Sequence, residues 1–269
     1  MKTFVTAKKS LGQHWLTDEP MLSYIARAAV VDPADTVLEI GPGQGSLTKH
    51  LVQRAKKVVA VELDKELANS LPARVLSDRL EVVQGDILKF DLDRLPKGYK
   101  VVANIPYYLT GHLLKLLTGA SNPPAAMTLL LQKEVAQRVA AHPGKMSIIA
   151  VSIQLKYSVL LGRVIHAEFF SPPPKVDSQV LILKRHRKPL FAKLDEKRYF
   201  QVVKAGFSAP RKMLRGNLAG GLGMSKHAAD DLLNAAEING SLRAEALSLE
   251  QWHRLYIQYR AKSDLHSLL

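Results

Sequence analysis

The chain has 269 residues, 38 of them Lys or Arg and 24 Asp or Glu, giving a formal net charge of +14. With 47% hydrophobic and 23% charged residues it can bury a full core, which excludes disorder as the source of the charge. The absence of cysteine excludes disulfide frameworks, thiolate zinc sites, iron–sulfur clusters and cysteine nucleophiles. Apolar stretches such as 125–131 fall far short of the ~18–20 residues of a membrane span. Lys2, Lys8 and Lys9 are not followed by an apolar run, so no secretory signal is expected and a cytoplasmic home fits best. The partners left for so basic a chain are nucleic acid, an anionic membrane surface or nothing specific.

In chain order, Thr17 is read as the N-cap of a helix running through Val30, with Asp18 and Glu19 in its first turn and Pro20 near its start. Short β-branched runs at 36–40, 57–62, 80–84, 100–103 and 127–131 follow. They alternate with helix-period segments such as 46–54, the pattern of βα units around a parallel sheet. Runs at 157–165 and 179–183 flank a proline-rich segment too short for a crossover helix, which predicts an antiparallel pair at one sheet edge. The fold class expected is therefore α/β, Rossmann-like, mostly parallel with an antiparallel edge strand.

From Lys184 onward the chain carries 16 basic and 8 acidic residues, so +8 of the charge lies in under a third of the length. Ser248 to Gln251 has capping-box spacing, and Leu249, Trp252, Leu255, Tyr256 and Tyr259 recur at three and four residues. A small basic helical domain is placed at 185–269, after a larger domain at 1–184.

Three glycines, Gly41, Gly43 and Gly45, stand directly after one strand and before a helix. Glycine there lets the backbone turn sharply and a ligand lie against it. The spacing is G-x-G-x-G rather than the dinucleotide G-x-G-x-x-G, and Pro42 removes an N–H donor, so the loop is a poor phosphate nest. A cofactor with an amino-acid end, S-adenosylmethionine, suits it better than a nicotinamide dinucleotide. Glu62 ends the next strand, where a carboxylate can hold both ribose hydroxyls, and Asp86 follows the third, where one can accept from an adenine amino group.

The fourth strand leads into Asn104-Ile105-Pro106-Tyr107. An exocyclic adenine amine is a weak nucleophile because its lone pair is delocalised into the ring. The Asn104 side-chain oxygen and the Ile105 carbonyl could hold both N6 hydrogens and aim that lone pair at a methyl donor, which is catalysis by positioning and electrostatics. Tyr107 offers a π-face, and stacking of this kind is worth about 1–3 kcal/mol.

These motifs, in this order and spacing, resemble the rRNA adenine N6-dimethyltransferases. Ser10 to Leu16 resembles that family's Gln-Asn/His-Phe-Leu element over the cofactor, with Trp15 where phenylalanine is usual, and the segment 169–178 resembles its second active-site loop. The resemblance implies a cofactor site including Gln13, His14, Leu16, Leu63, Ile87 and Asn104, formation of S-adenosylhomocysteine, and a Phe170 that stacks on the adenine face opposite Tyr107. Ile105 leans towards the Erm type, which modifies large-subunit rRNA. The stretch Phe207 to Leu218 resembles the KsgA type, which dimethylates two adjacent adenosines near the 3′ end of small-subunit rRNA; Ala209-Pro210 replaces Gln-Arg there. The partner implied is small-subunit rRNA within a pre-ribosomal particle, met by a monomer, with Arg211, Lys212 and Arg215 as phosphate contacts. A largely non-catalytic subunit-assembly factor is the alternative from another class. No metal is expected, since no H-x-x-x-H pair with a carboxylate occurs.

Overall fold

The structure, a computed structural model, describes residue 8 and residues 12–266; Ser10 and Leu11 of the N-terminal element lie outside the described residues. Two compact units are formed, one from 1–137 with 157–185 and the other from 138–156 with 186–269.

The first unit is built on seven strands: β2 (Thr36–Ile40), β3 (Lys57–Glu62), β4 (Leu80–Gln84), β5 (Lys100–Asn104), β6 (Ala126–Gln132), β7 (Tyr157–Ile165) and β9 (Ser178–Arg185). Their order is β4-β3-β2-β5-β6-β9-β7. β4, β3, β2, β5 and β6 are parallel, and the largely apolar, buried runs of β2, β3, β5 and β6 are those of strands covered on both faces, whereas β4 is a half-buried edge strand. The reversed strand is β9, which pairs antiparallel with both β6 and β7 and so lies just inside the edge strand β7. A second, two-stranded ladder joins β1 (Trp15–Leu16) to β8 (Phe170–Ser171). Two residues per strand carry no alternation, so the sequence held no sign of it.

Helix α1 (Glu19–Ala28) is capped by Asp18, whose side chain accepts from the Met21 N–H, and not by Thr17 as the sequence suggested. The reason is local: the Thr17 N–H and hydroxyl both donate to the Phe169 carbonyl, at 2.9 and 3.0 Å. Helix α2 (Ser46–Val52) begins at Gly45, whose φ of +82° suits glycine. A Cβ at Gly45 would also come within 2.6 Å of the Leu71 side chain on α3 (Lys65–Arg74), so its missing side chain permits close packing below the loop.

The second unit differs from the simple cut at 184/185, because 138–156 packs with it. After α4 (Thr110–Gly119) and α5 (Lys133–Val139), helix α6 (Ile148–Gln154) contributes Ala150 and Val151, and Leu155 follows, to a core with Tyr199, Leu214, Leu232 and Trp252. The surrounding helices are α7 (Glu196–Gly206), α8 (Leu214–Leu222), α9 (Lys226–Ala235) and α10 (Leu249–His266). The α10 capping box forms in both directions: the Ser248 hydroxyl accepts from the Gln251 N–H at 3.2 Å, and the Ser248 N–H donates to Gln251 Oε1 at 2.9 Å. Trp252, Leu255 and Tyr256 are fully buried, as their spacing predicts. Gly206 and Gly221 let these helices approach closely, since a Cβ would lie 2.4 Å from the Trp252 ring and 2.7 Å from Ala205, respectively.

Among the described residues, no helix is long and apolar enough to cross a membrane.

Candidate active site

The carboxyl ends of parallel strands are where an open α/β sheet binds ligands, and here β2 to β5 deliver four functional groups to one edge. A cleft of about 220 Å³ opens there. It is lined by Gly41 and Gly43 after β2, Glu62 and Leu63 at the end of β3, Asp86 and Ile87 after β4, and Asn104 to Tyr107 from β5. Gln13, His14 and Phe170 complete the wall. Of the residues expected to hold the cofactor, Leu16 and Gly45 stand apart: Leu16 is buried on β1 and borders a smaller adjoining cavity with Gly41 and Asn104, and Gly45 packs on α3.

Gly41 and Gly43 have φ of +64° and +57°. A Cβ on Gly43 would lie 3.1 Å from the Trp15 indole nitrogen, so the glycine keeps the loop open beneath residues 12–16, an N-terminal strap along the cleft. Glu62 is buried and rigidly held: Oε2 accepts from the Gly43 N–H at 3.0 Å and Oε1 from the Asp64 N–H at 2.9 Å. Burial raises its pKa, and those two N–H groups work against the rise. Each carboxylate oxygen keeps a second lone pair, the acceptor capacity two ribose hydroxyls require. Asp86 Oδ1 accepts from the Leu88 N–H at 2.9 Å, which fixes this carboxylate at the cleft wall with acceptor capacity in reserve.

The strap is tied down on both flanks. The Lys8 ammonium lies 2.8 Å from Asp64 Oδ2, and the Lys8 N–H donates to Gln13 Oε1 at 2.7 Å. Burial alone would raise the Asp64 pKa, but Lys8 and the N–H groups of Leu67 and Glu66 outweigh it and bring it below its ordinary value. On the other flank, His14 Nδ1 is 2.7 Å from the Pro172 carbonyl; because a carbonyl only accepts, Nδ1 carries the proton. The β1–β8 ladder adds Leu16 opposite Phe170.

This frame orients Asn104. Its Nδ2 donates to the His14 carbonyl at 3.1 Å, which leaves Oδ1 as the end of the amide with acceptor capacity in the cleft. Ile105 is buried, and its N–H donates to the Leu130 carbonyl at 3.1 Å, so β5 and β6 hold the tetrapeptide's entry. The Tyr107 hydroxyl is 3.0 Å from Ser178 Oγ, and its ring stacks with His14, centroids 6.0 Å apart and planes 23° from parallel. Burial raises the Tyr107 pKa, with the Ser178 hydrogen bond opposing, so the phenol stays neutral. Phe170 is buried on β8 and faces the same cleft.

Glu39 was not singled out in the sequence, although an acid inside the apolar run Val37-Leu38-Glu39-Ile40 is its visible signal. It is 1% exposed, its Oε2 has no hydrogen-bond partner, and it borders the smaller cavity with Gly41, Pro42 and Asn104. Burial lifts its pKa to about 8, the Thr48 hydroxyl opposing and the Glu62 charge adding. A raised carboxyl pKa means the folded state binds more protons than the unfolded one. This contribution to stability is complete below the usual carboxylate range and is lost as pH rises towards 8. Replacing Glu39 with Gln is therefore expected to stabilise the ligand-free protein by on the order of 2 kcal/mol near neutral pH. The same change should flatten the fall of Tm between pH 5 and 9, read by calorimetry; parallel profiles for the two proteins would refute the assignment.

In the second unit, Arg211 and Lys212 are exposed on the turn before α8, while Arg215 Nη1 lies 3.4 Å from Asp230 Oδ2. The turn is held from inside by buried Asn217, whose Nδ2 donates to the carbonyls of Gly206 and Ala209 at 2.7 and 2.9 Å. That brace was missed in the sequence; it needs only the Ala209 backbone, which explains how Ala209-Pro210 is accommodated. Among the described residues no cluster of three or more His, Asp or Glu is placed to hold a metal.

The chain matches the family model described as Ribosomal RNA adenine dimethylase over residues 5–261. It is 38% identical over 257 residues to the Ribosomal RNA small subunit methyltransferase A of Dehalococcoides mccartyi (strain CBDB1), covering 94% of this chain and 88% of that one. It is 40% identical over 256 residues to the protein of the same name from Thermosynechococcus vestitus, covering 92% and 95%. Among solved structures it resembles a dimethyladenosine transferase from Plasmodium falciparum, with 25% identity, a TM-score of 0.81 and coverage of 93% and 98%. It also resembles the 23S rRNA methyltransferase ErmE, with 28% identity, a TM-score of 0.77 and coverage of 91% and 98%.

Proposed function

The chain belongs to the ribosomal RNA adenine dimethylase family, and from that premise we propose that it transfers methyl groups from S-adenosylmethionine to N6 of two adjacent adenosines near the 3′ end of small-subunit rRNA. The enzyme class is an S-adenosylmethionine-dependent rRNA adenine dimethyltransferase. The choice of small over large subunit rests on the relatives at 38–40% identity, whose names specify the small subunit. A monomer in the cytoplasm, acting on a pre-ribosomal particle and gripping RNA through Arg211, Lys212 and Arg215, completes the proposal.

The residues present suit the cofactor. Gly41 and Gly43 clear the main chain for its amino-acid end, Glu62 offers acceptors to a ribose, and Asp86 beside Leu63 and Ile87 offers an acceptor and apolar walls to an adenine. The orphaned Glu39 oxygen adds one unmet polar demand next to that loop. When bound, S-adenosylmethionine supplies an electrophilic methyl on a sulfonium sulfur and leaves as S-adenosylhomocysteine.

The observation that carries the reading is Asn104, whose nitrogen is held by the His14 carbonyl so that its oxygen is the acceptor offered to the cleft. That oxygen and the Ile105 carbonyl accept the two N6 hydrogens of the target adenine, and Pro106 restrains the turn between them and Tyr107. The lone pair of N6 then points at the methyl donor instead of into the ring. Tyr107 and Phe170 flank the extruded base and offset part of its unstacking cost of a few kcal/mol. After transfer the cationic nitrogen is acidic and loses its proton to water, so no dedicated base is needed. Small and large ribosomal subunits lacking these methyl groups distinguish the two branches: label from the donor should enter small-subunit rRNA, and label confined to large-subunit rRNA would overturn the assignment.

A further inference from the structure

Beside the target-base cleft, the catalytic unit carries an open groove of about 600 Å³ that no step above uses. The two are joined through one register. Ser178, whose hydroxyl holds Tyr107, pairs with Gln132 at the end of β6, and the next residue on each strand forms the groove: the Lys133 N–H donates to the Asp177 carbonyl at 3.0 Å. Lys133 and Lys175 line it with Val176, which is 46% exposed. Neither lysine has an ion-pair partner among the described residues. The acids in the groove are both engaged: Asp177 accepts from the Ala167 N–H at 3.2 Å and meets His166 Nδ1 at 3.3 Å, and Glu134 has a partner of its own. The floor therefore offers two uncommitted cations, one of them half-buried, beside an exposed apolar side chain, and the consecutive prolines 172–174 restrict the chain that leads to Lys175.

We propose that this groove is a nucleotide subsite that receives the RNA strand flanking the target adenosine, with Lys133 and Lys175 contacting its phosphodiesters and Val176 its ribose or base. The inference rests on the RNA substrate proposed above. Its chemistry is that of a strand leaving the base cleft: once a base is extruded, the neighbouring phosphates must pass within a nucleotide's length of Tyr107, and a cationic groove there holds register without reading sequence. An acidic segment of a ribosomal protein is the competing occupant.

The test uses the full chain with Lys133→Ala and Lys175→Ala combined, the charge-keeping pair Lys133→Arg and Lys175→Arg, and Lys97→Ala at the opposite, amino edge of the sheet as a control. Methylation of unmethylated small subunits is followed across a salt series, together with S-adenosylmethionine affinity and Tm. The double alanine variant should lose roughly tenfold in kcat/KM at low salt, with a log–log salt slope shallower by about 0.7 per lysine. Cofactor affinity and Tm should be unchanged, the arginine pair should retain most activity, and Lys97→Ala all of it. An unchanged kcat/KM and salt slope would overturn the subsite. So would a loss on whole subunits that disappears for a protein-free RNA fragment, because that assigns the groove to a protein partner. Failure of the wild-type chain to methylate small subunits at all would instead strike the function it rests on, and is read separately in the same assay.

Discussion

Replacing Asn104 with alanine is expected to lower methyl transfer by roughly 10²–10³-fold, the usual consequence of deleting one preorganised polar group at a reacting centre. The affinity for S-adenosylmethionine should change far less, because the glycine loop, Glu62 and Asp86 are positioned by β2, β3 and β4 and not by Asn104. The mechanism also separates the two ends of the amide. Asn104→Asp keeps an acceptor but turns the nitrogen that donates to the His14 carbonyl into a second oxygen. Two acceptors then face each other and the carboxylate is repelled, so this variant should resemble alanine in rate and additionally loosen the strap, seen as faster hydrogen exchange of residues 13–16. Single-turnover methylation with both variants, alongside calorimetric cofactor titration, measures the split. Transfer at wild-type rate in Asn104→Ala would remove the positioning mechanism.

The second large effect belongs to Tyr107. Its ring lines the cleft and its hydroxyl is bound to Ser178, so the proposed stacking role and a structural one meet in one residue. Loss of the stacking face should cost about 1–3 kcal/mol, or roughly 5- to 150-fold in kcat/KM for RNA. Tyr107→Phe retains the face and deletes only the hydrogen bond, and should stay within a few-fold of wild type. Phe170→Ala should resemble Tyr107→Ala in catalysis but also lower Tm, because Phe170 is a buried member of the apolar core around Leu16 and Val180 whereas Tyr107 is half-exposed. Equal activity of Tyr107→Ala and wild type on RNA would contradict the stacked arrangement.

The elements legible in the sequence are those in which a local pattern carries the physics. Parallel strands of such a sheet carry short runs rich in β-branched residues, so 36–40, 57–62 and 80–84 could be read to the residue. The last strand residue of β5 is Asn104 itself, which ties the tetrapeptide to the sheet one residue sooner than its apolar run shows. A capping box is likewise a four-residue statement, and the one at Ser248 forms as written. Long-range polar bonds have no such local trace. Nothing near Thr17 says that its donors belong to Phe169, nothing near His14 says that its carbonyl orients Asn104, and nothing near 138–156 says which core its apolar face joins. Glu39 lies between these cases. An acid in an apolar strand is visible at once, but that its carboxyl is buried without a partner depends on the packing of α1 and α2 around it.

The net charge of +14 has more than one use in the fold. Part of it is internal to the fold: Lys100 pairs with Asp35 at 2.7 Å, Lys57 with Glu81 at 2.6 Å and Lys8 with Asp64 at 2.8 Å, so these cations secure sheet edges and the strap. Among the described residues Arg211, Lys212 and the two lysines of the proposed groove have no such pair, whereas Arg215 lies 3.4 Å from Asp230, so of the cations proposed to meet RNA these four are the least committed within the fold. Net charge therefore overstates the number of RNA contacts, and the salt dependence of binding should be smaller than +14 alone suggests.

The most direct measurement incubates the protein with small subunits lacking the modification and methyl-labelled S-adenosylmethionine, then maps the label by nuclease digestion and mass spectrometry. N6,N6-dimethyladenosine at two adjacent positions near the 3′ end of small-subunit rRNA, absent with Asn104→Ala, is the result predicted here. Label at another atom or on another RNA, or dimethyladenosine formed equally well without the Asn104 amide, would contradict it.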